Sequence, residues 1–292
     1  MGYHISMPSL SVVIPTHERA EILKLCLRRL EEQTIADEIE VIVVSDVHDA
    51  KTASLFQKEI WRIPLQFFEI EKCQQGVARN RGVEKASSPF VLFIGDDILL
   101  ENDACERHLA AHYSLRQEKT AVLGFTTWDP VLDISPVMRW LEKSGWQFGY
   151  PLIRKYTHDF VPAELQERFS YTSQISVPTV TARHLPFRED VSLYGWEDIE
   201  WGQRLKETGI RLYYEPDAKA LHHHHLSLEQ SLERMEILGM SLVSMARRIP
   251  TFKKKLARRR VLALHMLASL PTMSGMHRRA FLRGIAQGKQ SS

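Results

Sequence analysis

Cysteine is scarce in this 292-residue chain: the three residues, Cys26, Cys73 and Cys105, are far apart and odd in number. That excludes a disulfide framework and a CxxC zinc knuckle, and suggests a reducing compartment. Glycine (14) and proline (13) are too few for a fibrous or low-complexity chain. Long apolar runs are missing as well. Val261 to Leu270 falls well short of the roughly 18 residues that span a bilayer. No basic flank followed by an apolar run opens the chain, so no secretory signal is expected, and a cytoplasmic protein is. Met1-Gly2 with Ser6 spells M-G-x-x-x-S, a pattern common by chance, and acylation of Gly2 is not expected. There are no internal repeats.

One sign of charge is absent from the C-terminal end. Residues 247–292 hold twelve Lys/Arg and no Asp or Glu, which leaves 26 basic against 36 acidic residues in the rest. The overall charge of +2 therefore hides an acidic body and a strongly basic tail. Such a tail favours a polyanionic surface. With 44% hydrophobic and 25% charged residues, the body has ample material for a core.

The body alternates strand and helix patterns. Ser9 to Pro15 (SLSVVIP), Ile39 to Val44 (IEVIVV), Leu65 to Ile70 and Phe90 to Ile94 (FVLFI) read as strands. Between them, Glu21 to Glu32 and Val77 to Lys85 read as helices. This alternation predicts a mostly parallel α/β sheet, with ligands at the carboxyl ends of its strands. Thr16, Asp46 and Asp96-Asp97 all lie just past strand ends. Thr120 to Phe187 shows no clear period. Gly195 to Thr208 reads as a helix entered through an acidic turn, Ile210 to Tyr214 as a short strand, and Ser227 to about Arg248 as a helix with a capping box at Ser227 and Gln230.

Three groups of side chains stand out. Asp96-Asp97 ends a hydrophobic strand, and adjacent carboxylates repel unless a cation joins them. A turn is the bland account. A divalent ion carrying a diphosphate is the chemical one, since Mg²⁺ takes oxygen ligands shared with phosphates. Gly195-Trp196-Glu197-Asp198 places an exposed Trp beside two carboxylates at a helix start. Capping explains the acids, whereas the group together suits sugar stacking and proton transfer. His222 to His225 offers imidazoles for a metal, with at least two of the four expected to be ordinary loop residues.

In this order, SVVIPTHER, IEVIVVSD, GVARNRGVEKASSPFVLFIGDD and GWEDIEWGQRLKETGIRLYYEPDAKALHHHH resemble a family 2 glycosyltransferase of the GT-A fold over about residues 9 to 250. The resemblance implies a Rossmann-like mixed, mostly parallel sheet flanked by helices over 9–226, with a nucleotide-binding half at 9–115 and an acceptor half at 116–226. A basic helical extension at 227–292 completes the expected organisation. It further implies an inverting transfer from a nucleoside diphosphate sugar, helped by Mn²⁺ or Mg²⁺, in polysaccharide, glycan or glycolipid synthesis. By position, Pro15, Thr16, Arg19, Asp46, Arg79, Asn80 and Asp96 match nucleotide-sugar contacts. Asp97 and His222 match metal ligands, Asp198 the catalytic base, and Glu197 its neighbour, able to hold the acceptor beside Trp196. Two departures are visible: Gly95 replaces the first Asp of D-x-D, and Ser45-Asp46-Val47-His48 replaces DDGS.

The acceptor is expected to be a saccharide or lipid-linked. Residues 247–292 have the composition of a basic amphipathic segment lying on an anionic membrane, on the inner face, with packing on the catalytic domain as the alternative. No nucleic-acid partner is expected, because Phe252 is the sole aromatic of the tail before Phe281. Two rival classes are a nucleotidyltransferase, disfavoured because PTHERAE lacks a glycine loop, and a non-catalytic nucleotide-sugar or polyanion-binding module, in which Glu197-Asp198 has no purpose.

Overall fold

The computed structural model describes residues 7–115, 119–190 and 194–290. The M-G-x-x-x-S pattern and residue 116, where the two halves were expected to meet, lie outside the described residues. The first half runs β1 (Leu10–Thr16), α1 (Ala20–Glu31), β2 (Ile39–Ser45), α2 (Ala50–Lys58), β3 (Leu65–Glu69), α3 (Gln75–Lys85), β4 (Phe90–Ile94), β5 (Ile98–Leu100) and α4 (Ala104–Leu115). The second continues β6 (Thr120–Trp128), α5 (Pro136–Ser144), α6 (Tyr150–Ile153), β7 (Asp159–Phe160), α7 (Ala163–Gln166), β8 (Gln174–Pro178), α8 (Thr179–His184), α9 (Glu197–Glu207) and β9 (Arg211–His222). Four helices follow: α10 (Leu228–Arg248), α11 (Pro250–Lys253), α12 (Arg258–Ala268) and α13 (Met273–Gln290).

The strands form one sheet, β3-β2-β1-β4-β8-β6-β9-β5, with β7 added against β9. The β3-β2-β1-β4 run is parallel, as is β6 with β9, while β8 is antiparallel to both its neighbours. This is the mixed, mostly parallel α/β sheet expected. Strand alternation divides the core between its two faces: Leu10, Val12 and Ile14 pack with Leu23 and Leu27 of α1, and Val13 packs with Ala78 and Val83 of α3.

Two elements differ from the sequence reading. The strand expected to stop at Tyr214 runs on to His222, across Pro216. Proline survives there because the β6–β9 register breaks between Leu123 and Phe125, opposite Tyr214 and Lys219, so residue 216 owes β6 no ladder bond. The unreadable middle contains two central strands, β6 and β8. Their apolar pattern is interrupted by buried polar side chains, some of which meet partners from distant parts of the sequence. Ser176, for example, meets His108 Nδ1 at 2.8 Å and His112 Nε2 at 2.9 Å.

The C-terminal helices pack on the body instead of standing apart. Backbone meets backbone where α13 crosses α10. A Cβ on Gly284 would lie 1.9 Å from the carbonyl oxygen of Glu236, and one on Gly239 would lie 2.2 Å from that of Phe281. A carbonyl cannot swing aside as a side chain can. Gly284→Ala is therefore expected to cost about 1–3 kcal/mol, the usual scale of overpacking. The expected result is a lower thermal midpoint, with exposed Ala286→Ser unchanged.

Candidate active site

The carboxyl ends of β1 and β4 open into a cleft of about 700 Å³. Chain direction sets its composition. β4 delivers Gly95, Asp96 and Asp97, the loop after β1 delivers Pro15 and Arg19, and the turn into α9 delivers Trp196, Glu197 and Asp198. The opposite wall includes Arg234 and Leu238 of α10, Leu264 of α12, and Arg278 and Phe281 of α13. Segments from both ends of the chain thus converge on one cavity.

At one end, Arg19 joins the adjacent carboxylates. Its Nη1 lies 2.9 Å from Asp96 Oδ1 and its Nη2 2.9 Å from Asp97 Oδ2. Thr16 Oγ1 donates to Asp96 Oδ2 at 2.8 Å. His222 Nε2 stands 3.3 Å and His224 Nδ1 3.7 Å from Asp97 Oδ2. Alternation of extended backbone selects these two imidazoles: His223 instead meets Asp129 Oδ2 at 2.7 Å, and His225 is exposed. The His222 ring stacks on Trp128 with centroids 5.0 Å apart, and its Nδ1 is buried without a partner. Gly95 fits the same crowding, because a Cβ there would stand 2.9 Å from Asp97 Oδ1.

The two acids respond oppositely. Burial, and then the charge of Asp97, push Asp96 up to about 7. Burial also works against ionisation of Asp97, but His222 and Arg19 outweigh it and hold that carboxyl well below the usual range.

At the other end, Gly195 (φ +94°) and Trp196 (φ +72°) make a left-handed turn into α9. Helix α10 clamps it: Trp196 Nε1 donates to Leu238 O at 2.9 Å and Ser241 Oγ to Gly195 O at 3.2 Å. Such backbone conformations persist only when the surroundings enforce them. The turn puts Glu197 and Asp198 on the cleft wall, where burial and then the charge of Glu197 push Asp198 up to about 7. The Arg79 guanidinium acts on both carboxylates through its charge. It is buried, and its Nε and Nη1 have no hydrogen-bond partner.

Several sequence expectations change. Asn80 does not line the cavity. Its Nδ2 donates to Phe187 O and its Oδ1 accepts from Phe187 N, both at 2.8 Å, so its amide anchors that loop. Trp196 is half-buried rather than exposed, its ring edge-on to Phe252 at 5.9 Å. Thr16 and Asp46 sit at strand ends as expected but do not line the cavity, and Asp46 meets His17 Nδ1 at 2.6 Å. Pro15, Arg19, Arg79, Asp96, Asp97, Glu197, Asp198 and His222 do line it.

The run His222 to His225 already contained His224, but the sequence reading missed Trp146, Gln147, Arg234 and Arg278 as cleft residues. Of these only Arg234 left a usable signal: it lies on the face of α10 that carries Ser231, Leu238 and Ser241, where an uncompensated charge is unexpected.

The model of the family described as Glycosyl transferase family 2 matches residues 11–129. Validoxylamine A glucosyltransferase of Streptomyces hygroscopicus subsp. jinggangensis (strain 5008) is 28% identical over 222 residues, covering 70% of this chain and 53% of that protein. The chain thus spans about half the length of that relative. GalNAc(5)-diNAcBac-PP-undecaprenol beta-1,3-glucosyltransferase of Campylobacter jejuni is 34% identical over 96 residues, 31% of this chain and 30% of that one. Among solved structures, mannosyltransferase PcManGT from Pyrobaculum calidifontis, in complex with GDP-Man and Mn²⁺, has a similar fold. Its TM-score is 0.65 at 15% identity, covering 98% of this chain and 88% of that one.

Proposed function

Through residues 11–129 this chain belongs to glycosyl transferase family 2, and on that premise we propose that it moves a sugar, with inversion, from a nucleoside diphosphate sugar to an acceptor hydroxyl. The observation that carries the reading is one cleft with a carboxylate and two imidazoles at one end and Asp198, pushed up to about 7, at the other. That separates an anchoring site from a proton acceptor.

Asp97, His222 and His224 would hold a divalent ion. Their ligand atoms lie within 4.8 Å of one another, and His222 has a free buried nitrogen. Mixed carboxylate and imidazole donors fit Mn²⁺, and Mg²⁺ is the alternative. Such an ion supplies positive charge to the diphosphate when bound. Arg19 holds Asp96 and Asp97 together, with Thr16 bracing Asp96.

Asp198 takes the proton of the acceptor hydroxyl as that oxygen attacks the anomeric carbon. The bond to the diphosphate breaks on the opposite face, and the diphosphate leaves with the bonding electrons. Glu197 raises the proton affinity of Asp198 and lies beside the acceptor. Arg79, buried with free N–H groups, orients the carboxylate pair or the diphosphate.

The test is a thermal-shift screen of UDP-, GDP- and dTDP-sugars with and without Mn²⁺. A bound donor is expected to raise the midpoint by mass action. A protein that responds to no nucleotide sugar overturns the reading.

The acceptor we propose is a saccharide or a lipid-linked saccharide, with the chain resting on an anionic membrane surface. None of the helices among the described residues is long and apolar enough to cross a membrane. Helix α13 buries Ala280, Leu282 and Ile285, so the membrane-facing part of 247–292 narrows to α12. There Leu262 and Met266 are exposed beside Arg258, Arg259 and Arg260. Binding to anionic liposomes is expected to weaken with salt and to be lost in Leu262→Asp/Met266→Asp. Unchanged co-sedimentation of that variant counts against the surface.

A further inference from the structure

The C-terminal wall carries two arginines that the transfer chemistry above leaves without a task. Helix α13 has Arg278, Arg279 and Arg283 within six residues. Arg279 donates to the carbonyls of Ala268 and Leu270, and Arg283 pairs with Glu236. Arg278 alone lines the cleft, with its guanidinium 5.2 Å from the centre of the Trp146 ring. From α10, Arg234 reaches the same cleft. Its Nη1 donates to Gln147 Oε1 at 2.6 Å and its guanidinium lies 5.7 Å from the centre of the Tyr194 ring. Among the described residues neither guanidinium forms an ion pair with a carboxylate.

Both arginines are oriented by neutral groups on neighbouring residues, Trp146 and Gln147. The platform is built in. Trp146 packs against Trp140 and His277, with ring centroids 5.2 and 5.8 Å apart. His277 is itself buried and fixed at both nitrogens, by Ser231 Oγ and Met273 O, each at 2.8 Å. Aromatic stacking leaves the N–H edges of Arg278 available, and a guanidinium edge matches a phosphate or carboxylate bidentately. Arg234 acts through its charge on Asp198 and His224 without pairing with either, and Arg278 has no ion pair among the described residues, so two guanidiniums at one cavity leave room for an anion from outside. The donor diphosphate already has Asp97, His222 and His224 at its end of the cleft.

We propose that Arg234 and Arg278 form a subsite for an anionic group of the acceptor, so that the accepting sugar carries a phosphate ester or a carboxylate. The inference rests on the glycosyl-transfer reading and specifies its substrate class. The apolar neighbours Leu264 and Phe281 leave the charged group little competition from other polar contacts. The anion would be held on the wall contributed by α10 and α13, which places the accepting hydroxyl toward Asp198.

The test compares anionic and neutral sugars on the full chain. Calorimetry on protein freed of divalent ions uses glucose 6-phosphate, glucuronate and glucose as probes. At least one anionic probe is expected to bind about tenfold or more tighter than glucose, the scale of charge-assisted hydrogen bonds. The preference should vanish in Arg278→Gln and Arg234→Gln and survive in part in Arg278→Lys. Which anion wins decides between phosphate and carboxylate. Circular dichroism of each variant guards against misfolding. Equal binding of all three sugars to the wild-type chain overturns the subsite, as does a preference that persists in both Gln variants. Because no donor is present in the calorimeter, loss of the subsite and loss of the glycosyl-transfer reading are told apart: the first is read here and the second in the donor screen.

Discussion

Asp198→Asn leaves donor binding intact and reduces transfer by roughly a hundredfold or more, the scale of a lost general base. Asparagine keeps the shape of the side chain, and its carbonyl can still accept from Ile199 N, as Asp198 Oδ1 does at 2.7 Å. What it cannot do is take a proton. Because burial and the neighbouring charge of Glu197 push Asp198 up to about 7, the carboxyl is protonated and inactive at lower pH. In the wild-type chain kcat/KM is therefore expected to rise with pH through about 7 and then level off. The part of this limb that belongs to the base should disappear from the residual activity of Asp198→Asn, leaving only what Asp96, also pushed up to about 7, contributes. Steady-state transfer from about pH 5 to 9, spanning both protonation states, with donor affinity measured in parallel, checks both parts. If Asp198→Asn transfers at near wild-type rate while Glu197→Gln abolishes transfer, the roles of the two acids are exchanged.

The cleft was legible in the sequence where its residues sit at the ends of regular elements. Asp96-Asp97 and Glu197-Asp198 follow or open strongly patterned segments, so strand polarity alone brings them to one side. The acceptor wall was illegible for a different reason. Trp146 and Gln147 follow a short helix capped by Gly145 in the left-handed conformation (φ +70°), and nothing local ties that loop to α13. The tail carries two readings at once. Its charge and apolar spacing fit a membrane-bound helix, and the same spacing serves packing where Gly239 and Gly284 let α10 and α13 meet backbone to backbone. Composition does not distinguish a glycine that loosens a helix from one that lets a neighbour in. Asn80 shows the converse limit: its place in the ARN segment suggested a ligand, whereas its amide is engaged at both ends by the backbone of Phe187.

Asp97→Ala should abolish metal-dependent binding of a nucleoside diphosphate. Asp97 is the one carboxylate of the Asp97-His222-His224 cluster. Two neutral imidazoles alone give a hard divalent ion no negative charge. Loss of a supporting contact around a metal already costs about 10–100-fold in affinity, so loss of the ligand itself should cost at least that. The variant also frees one arm of Arg19, which now meets Asp96 alone. A residual, metal-independent affinity for the diphosphate is therefore expected through Arg19 and Arg79. Calorimetry with UDP and GDP, with Mn²⁺ and with a chelator, separates the two contributions: in the wild-type chain the chelator weakens binding, and in Asp97→Ala it changes nothing. His224→Ala should fall between them, whereas His225→Ala, altering an exposed side chain outside the cleft lining, should match wild type. An Asp97→Ala protein that keeps full Mn²⁺-dependent affinity would move the ion away from this cluster.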